Sequence, residues 1–262
     1  MTPSIPRQRL QLPQVTLVAV TSVNVEATIQ ALQACLVQID FGACKLLTDR
    51  PMDCELPGIQ VVPIRRLASS YDYSHFLLSD LADHVATSHC LVCQWDGHVI
   101  DAGRWSPEFL DWDYIGASWP QFDDGKDVGN GGFSLRSKLL LEACRASGFE
   151  QYHPEDIAIC RHNRDWLETQ GMRLADRALA DRFSAERAGD VGATFGYHGV
   201  WHMARVLGVP AFWDLYRNLD DRGTVWHDFD VLLKQVVRGP GGPARALRLI
   251  GDRIYNATKA RK

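Results

Sequence analysis

The sequence lacks several features that mark large classes of protein. No apolar run approaches the roughly 20 residues of a membrane span, and the first fourteen residues contain no apolar core of a secretory signal. Its seven cysteines are an odd number scattered along the chain, which fits reduced thiols better than a disulfide framework. Together these absences predict a cytoplasmic protein.

Two common nucleotide-binding signatures are also missing. Neither a GxGxxG motif after the first predicted strand nor a GxxxxGK[ST] motif occurs, which argues against a dinucleotide-binding fold and against a P-loop kinase. Internal repeats and low-complexity segments are absent as well. What is present, in 262 residues with 46% hydrophobic and 23% charged residues, is the composition of a globular protein with a substantial core.

The apolar pattern predicts an α/β fold. Val15–Thr21 is β-branched and apolar, as in a buried strand, and apolar residues from Val25 to Ile39 follow at helical spacing. Short strands are predicted at Lys45–Thr48 and Ile59–Pro63. Further helices are predicted over residues 69–86, 137–147 and 154–170. This order favours a mostly parallel, mixed sheet flanked by helices.

The most informative stretch runs from Cys90 to Arg136. It begins as a buried strand that stops at the letters QWDG, so that Asp96 lies where the strand meets a turn. Open α/β sheets bind ligands beyond the carboxyl ends of their strands. The segment VGNGGFSLRS then holds three glycines within four residues, which let the backbone approach a ligand closely. The stretch predicts a site for a polyphosphate group and a metal ion.

Two further segments carry titratable side chains. Glu155 and Asp156 follow Pro154 at a predicted helix start, where acids are common for structural reasons. A helix-start role and a catalytic role therefore both stay open for this pair. His198 lies between two glycines in a predicted loop, and a lone histidine is usually structural or solvated.

The charge of the chain is uneven. From Lys234 onward, eight basic residues and one acid give a net charge of +7, so the rest of the chain carries −11 of the total −4. The letters GPGGP at residues 239–243 predict a linker. Ala244–Tyr255 can be drawn as an amphipathic helix with basic residues. It predicts either a peripheral contact with the anionic inner membrane face or a helix packed back on the domain.

Six segments in order, QWDGHV, WDYIGASW, VGNGGFSLRS, HPEDI, FSAE and FGYHG, resemble a family of uncharacterised glycosyltransferase-like domains. That family is grouped with the GT-A nucleotide-sugar transferases, and the resemblance spans roughly Val15 to Trp201. It implies a GT-A-like (Rossmann-like) fold and an enzyme that moves a sugar from a nucleotide-sugar donor to a carbohydrate or lipid-linked acceptor. We therefore expect an N-terminal arm at 1–14, a GT-A-like domain at 15–238 and a basic tail at 239–262.

The resemblance also implies a donor site. The DxD motif, which binds metal and diphosphate, is similar to Gln94-Trp95-Asp96, in which glutamine replaces the first acid. Asp96 is then the metal and diphosphate anchor, and His198 resembles the C-terminal metal-binding histidine. The ion would be Mn²⁺ or Mg²⁺, and an imidazole ligand suits Mn²⁺ slightly better. The residues expected to contact the donor are Thr21, Ser22, Asp49, Tyr73, Ser74, Gln94, Asp96, Gly131 and Gly132.

A catalytic base is implied by the xED motif, whose acid has this role in inverting members. It is similar to Pro154-Glu155-Asp156. Asp156 is the predicted base that deprotonates the acceptor hydroxyl, and Glu155 is the runner-up. The resemblance thus implies an inverting, metal-dependent transfer.

Three other classes of protein remain as alternatives. A nucleotidyltransferase would show a glycine-rich loop with basic residues after the first strand, and Thr21–Glu26 has none. A glycoside hydrolase would need only a carboxylate pair and no nucleotide site. Gln94 in place of an acid gives some weight to a non-catalytic nucleotide- or sugar-binding module. No nucleic-acid partner is expected.

Overall fold

The computed structural model describes residues 8–52 and 55–259. Within them the strands are β1 Leu10–Val20, β2 Ile39–Thr48, β3 Gln60–Pro63, β4 His89–Cys93, β5 Gly97–Val99, β6 Tyr114–Ile115, β7 Ala117–Ser118, β8 Val128–Gly129, β9 Phe133–Ser137, β10 Ser184–Ala185 and β11 Gly196–His198. The α-helices are α1 Val25–Leu36, α2 Ser70–Ser79, α3 Lys138–Ala143, α4 Glu155–Ile157, α5 Arg164–Thr169, α6 Arg177–Phe183, α7 Val200–Val206, α8 Val209–Asn218, α9 Phe229–Val236 and α10 Gly242–Lys259.

The larger of two sheets has the strand order β3-β2-β1-β4-β9-β6. Strands β1 to β4 pair in parallel, and β9 is antiparallel to both β4 and β6. Parallel strands that are covered on both faces have near-continuous apolar sequences, and β1 and β4 show this pattern. The predicted fold class is confirmed as a mostly parallel, mixed sheet flanked by helices.

Alternate side chains of the central strands enter two separate cores. Leu17 and Leu91 pack with residues of α1, whereas Val18 and Val92 pack with residues of α2. All four are fully buried, and burial of such a side chain contributes about 1.5–3 kcal/mol. Helices therefore cover both faces of the sheet and hold the carboxyl ends of its strands in place.

The smaller sheet has the order β5-β11-β10-β7-β8 and consists of strands of two or three residues. Strand β11 pairs antiparallel with β5, opposing His198 to Gly97, and parallel with β10. The predicted loop around His198 is thus wrong, because the residues form a strand. Its antiparallel partner β5 lies about a hundred residues earlier in the sequence, so no local pattern marks it.

Several predicted boundaries need correction. β1 begins at Leu10 rather than Val15, since its pairing with β2 continues after a register shift around Pro13. Ile39 fits the helical spacing of α1, yet α1 ends at Leu36 and Ile39 opens β2 opposite Leu10.

Three predicted helices are shorter or interrupted. The helix predicted over 69–86 consists of α2 and a 3-10 turn at Leu81–His84, and that predicted over 137–147 ends at Ala143. A π-helical turn at Ala158–His162 interrupts the one predicted over 154–170. Pattern reading found the helical segments but not the turns that end them.

The chain forms two compact units, which divide after His198. The first contains both sheets, and the second consists of α7 to α10 with a 3-10 turn at Gly223–Trp226. The helix predicted at Ala244–Tyr255 is confirmed within the longer α10, which includes two residues of the predicted linker. Of the predicted arm, residues 1–7 lie outside the described residues and residues 10–14 belong to β1. The predicted domain boundaries remain predictions.

Among the described helices, none combines the length and the apolar character needed to cross a bilayer.

Candidate active site

Asp96 lies three residues beyond the end of β4 and is 4% exposed. Its Oδ1 atom is buried and lies 3.3 Å from Nε2 of His198. The backbone N–H of Gln94, at the same strand end, donates to the carbonyl of Gly132 at 2.8 Å. The strand end is therefore tied to the glycine-rich loop, and a buried carboxylate faces the His198 ring there.

His198 ends β11 and lies between two carboxylates. Its Nε2 is 3.3 Å from Asp96 Oδ1 and 3.2 Å from Gln94 Oε1, and its Nδ1 is 3.2 Å from Glu186 Oε1. Burial disfavours the imidazolium, but Asp96 and Glu186 outweigh that effect and raise the pKa of His198 to about 10. Without a metal ion, His198 thus neutralises part of the charge of this acidic cluster.

The glycine-rich loop touches both groups of acids. A Cβ on Gly132 would lie 2.1 Å from His198 Nε2, and a Cβ on Gly131 would lie 2.0 Å from Glu155 Oε1. The backbone N–H of Gly131 donates to Asp156 Oδ2 at 3.2 Å. Only glycine allows this double close approach, which places the backbone of the loop between the two acidic groups.

Arg136 on β9 is fully buried and forms an ion pair beneath this loop. Its Nη2 donates to Glu155 Oε1 at 3.0 Å and to the carbonyl of Gly131 at 3.3 Å, and its Nε donates to Ser134 Oγ at 3.0 Å. Ser74 Oγ donates to the other oxygen of Glu155 at 3.3 Å. A buried charge needs such partners, so Glu155 is held in a structural pair.

Asp156 is the less restrained acid of the pair. Its oxygens accept from the backbone N–H groups of Ile157 at 2.8 Å and of Gly131 at 3.2 Å. Burial and the adjacent charge of Glu155 raise the pKa of Asp156 to about 7. A half-buried carboxyl group that titrates near neutrality is suited to take a proton from a substrate.

The structure brings eight of the predicted site residues together through direct contacts. They are Gln94, Asp96, Gly131, Gly132, Ser74, Glu155, Asp156 and His198. Tyr73, in the same helix as Ser74, has a buried hydroxyl without a hydrogen-bond partner among the described residues, and burial raises its pKa. These assignments to a site remain predictions.

Thr21, Ser22 and Asp49 follow the carboxyl ends of β1 and β2, at the same edge of the parallel sheet as Asp96. Ser22 Oγ accepts the backbone N–H of Leu67 at 2.8 Å, and Thr21 Oγ1 bonds to the backbone of Val23. Asp49 Oδ1 is buried without a hydrogen-bond partner in the described part of the chain. Of the three, Asp49 offers the most available atom for a ligand.

The residues at the strand end have donor atoms of the kind that divalent cations bind. Asp96 supplies a carboxylate oxygen, and Gln94 and His198 add an amide oxygen and an imidazole, which suit Mn²⁺. No group of three or more His, Cys, Asp or Glu side chains in the described residues could hold a metal ion alone. One or two protein ligands, with substrate phosphates and water completing the shell, is the usual arrangement for Mg²⁺ in nucleotide sites.

Two residues of this site had no predicted role. Glu186 follows β10 and contacts His198, and Arg136 pairs with Glu155. The role of Arg136 could have been predicted from its position within the apolar strand FSLRS, because a buried arginine requires a buried carboxylate partner. The signal for Glu186 was its place in FSAE, one of the segments that carry the resemblance.

Residues 58–198, just over half of the chain, match the family described as "Protein of unknown function (DUF5672)". The chain belongs to this family. The region matched to DUF5672 contains Asp96, the glycine-rich loop, Asp156 and His198, which are the parts that contact one another. No curated protein matches the chain.

Among solved structures, the DUF5672 chain is similar to the mannosyltransferase PcManGT from Pyrobaculum calidifontis in complex with GDP-Man and Mn²⁺. The identity is 12% and the TM-score 0.44, over 98% of this chain and 81% of that one. It is also similar to the apo-form glycosyltransferase GlyE of Streptococcus pneumoniae TIGR4, with 12% identity and a TM-score of 0.39. That match covers 77% of this chain and about half (51%) of GlyE. Both are glycosyltransferase structures.

Proposed function

We propose that this DUF5672 protein is a glycosyltransferase that moves a sugar from a nucleotide-sugar donor to a hydroxyl group of a glycan or lipid-linked acceptor. The observation that carries the proposal is the glycine-rich loop between two acidic centres of different character. One centre, Asp96 with His198, is suited to a cation, and the other, Asp156, is suited to a proton.

The donor side is the strand end. Asp96, His198 and Gln94 would hold a divalent ion, which when bound offsets the charge that develops on the diphosphate leaving group. Glu186 contacts Nδ1 of His198 and so orients the ring, as carboxylates do for metal-binding histidines. Gly132 leaves room for the imidazole on the other side. Metal dependence is part of this proposal.

The acceptor side is Asp156. Its carboxylate takes the proton of the acceptor hydroxyl as that oxygen bonds to the anomeric carbon, and the bond from that carbon to the diphosphate oxygen breaks with its electron pair. Because Glu155 is engaged by Arg136 and Ser74, it positions the loop rather than accepting the proton. Direct attack by the acceptor inverts the configuration at the anomeric carbon, so the proposed enzyme is inverting.

The test is a panel of UDP-, GDP-, CMP- and dTDP-sugars, incubated with the full chain with and without Mn²⁺. We expect release of the free nucleotide from one donor class and loss of Mn²⁺-dependent donor binding in Asp96→Asn. Donor binding without release of nucleotide, whichever acceptor is added, would instead identify a binding module, the alternative to which Gln94 in place of an acid gives some weight. Failure to bind any donor would refute the proposal.

A further inference from the structure

Helix α10 exposes an apolar stripe. Its largest exposed side chains are Leu247 (71% exposed), Ile254 (61%) and Tyr255 (69%), and Ile250 is 37% exposed. These four are among eleven large apolar side chains that are exposed in the described residues, so one helix holds more than a third of them. Soluble surfaces usually scatter such side chains singly, and a contiguous group marks an interaction site.

The opposite side of α10 is anchored within the second compact unit. Leu249 is fully buried, and at the edge of this side the Arg253 guanidinium lies 4.1 Å from the centre of the Phe229 ring. Asp252 accepts a hydrogen bond from the Tyr216 hydroxyl at 2.9 Å. The exposed stripe therefore belongs to a helix with a packed face.

Positive charge borders the stripe. At 3.6 residues per turn, Leu247, Ile250 and Ile254 fall within a sector of roughly 60°. Arg248 lies about 130° from its centre on one side, and Arg253 about 90° on the other. The acid of the helix, Asp252, is engaged by Tyr216 and by Arg248 Nε at 2.9 Å. The chain from residue 234 onward carries +7. The final residues 260–262 lie outside the described residues.

We propose that α10 is an interfacial helix that binds the surface of an anionic bilayer, with the apolar stripe in the headgroup region and the arginines on lipid phosphates. Helices with an apolar face and a basic polar face lie in the plane of a membrane in this way. Symmetric pairing of two copies through the stripe would bring their arginines together, whereas anionic headgroups complement them. The proposal is independent of glycosyl transfer.

The experiment is co-sedimentation of the full chain with vesicles of two parts phosphatidylcholine to one part phosphatidylglycerol, and with vesicles of phosphatidylcholine alone. We expect binding to the anionic vesicles at low salt, at least about tenfold weaker binding to the neutral ones, and a marked loss of binding at high salt. A chain that stays in the supernatant with anionic vesicles would overturn the proposal.

Variants test whether this face of α10 binds the vesicles or whether the protein adsorbs to them nonspecifically. Leu247→Glu with Ile254→Glu should abolish sedimentation while the melting temperature stays at the wild-type value, because both side chains are exposed. Val37→Glu, at a site 75% exposed on the first unit, is the matched control and should bind like wild type. Arg248→Gln should weaken binding only at low salt. Wild-type binding by the double variant, or a dimer of the wild type that the double variant converts to monomer, would refute the membrane role.

Discussion

At the scale of single residues, Asp156 and Glu155 show how neighbouring acids acquire different roles. Both are acids at a helix start, but Arg136 and Ser74 engage Glu155, whereas Asp156 accepts only backbone N–H groups in the described contacts. Glu155 pairs with a buried arginine, and burial together with the adjacent charge of Glu155 raises the pKa of Asp156 to about 7. In the proposed mechanism, Glu155 is a structural anion and Asp156 beside it is the base.

The pH dependence of transfer should report this base. Asp156 must be ionised to accept a proton, so the turnover rate should rise between pH 5 and pH 8 with an apparent pKa near 7. Asp156→Asn should lower the turnover rate by about 10²–10⁴-fold and flatten the profile, with donor affinity almost unchanged. Steady-state kinetics across this range checks both points. If Glu155→Gln has the larger effect on rate at equal stability, the two roles are reversed.

The same carboxyl group should affect stability. Its pKa is higher in the folded chain than in the unfolded chain, so ionisation costs folding free energy as the pH rises from about 4 through 7. Asp156→Asn removes this cost and should stabilise the protein at pH 8, on the order of 2 kcal/mol, with no gain below pH 4. Urea unfolding at both pH values measures the difference. A variant that is less stable at pH 8 would contradict the raised pKa.

The buried ion pair predicts a non-additive mutant cycle. Arg136→Met or Glu155→Leu alone leaves an uncompensated buried charge and should cost about 3–5 kcal/mol. The double variant should cost less than the sum, since neither charge remains. Arg145→Met is the control, because its pair with Asp83 is exposed and screened by solvent. Additive costs in urea unfolding would show that Arg136 and Glu155 do not interact as described.

At the scale of elements, substitutions in the glycine-rich loop should distinguish the side of the loop that faces His198 from the side that faces Glu155. In Gly132→Ala the new methyl group would displace His198, so Mn²⁺-dependent donor affinity should fall at least about tenfold with a modest stability loss of about 1–3 kcal/mol. Gly131→Ala would push on Glu155 and should lower stability more. Isothermal titration and thermal melts compare the two.

Gly251→Ala is the matched control for the loop variants. A Cβ at this position of α10 meets nothing within 4 Å, and alanine has the better helix propensity. Its melting temperature and donor affinity should therefore equal or exceed those of wild type. Equal donor affinity in Gly132→Ala and in Gly251→Ala would show that His198 is not part of the donor site.

At the scale of the whole molecule, ligand binding should appear as added stability. A donor that binds only the folded state at 100 times its Kd stabilises it by about 2.7 kcal/mol. We expect the matching nucleotide diphosphate to raise the melting temperature only with Mn²⁺ present, and Asp96→Asn to abolish the rise. A rise of the same size without metal, or in the variant, would show that nucleotide binding does not depend on a metal ion at Asp96.

The sequence predicted the parallel sheet well because its evidence is local. Central strands such as β1 and β4 are continuous apolar runs, and α1 has helical spacing. It failed where pairing is long-range: strand β11 around His198 and the part of β1 before Pro13 are stabilised by partners far along the chain. The role of Glu186 was missed for the same reason, since only the folded chain brings it to His198.

The smaller sheet has a consequence for the order in which the site forms during synthesis. Its strands come from residues 97–99, 117–118, 128–129, 184–185 and 196–198, so about a hundred residues must be translated between its first and last strand. Strands of two or three residues are too short to persist before their partners arrive, and such non-local pairing is slow. During synthesis, His198 would therefore emerge from the ribosome well after Asp96, the glycine-rich loop and Asp156, and it could contact them only then. Ribosome-bound nascent chains that stop short of residue 198 should retain a large sheet without an assembled cation site.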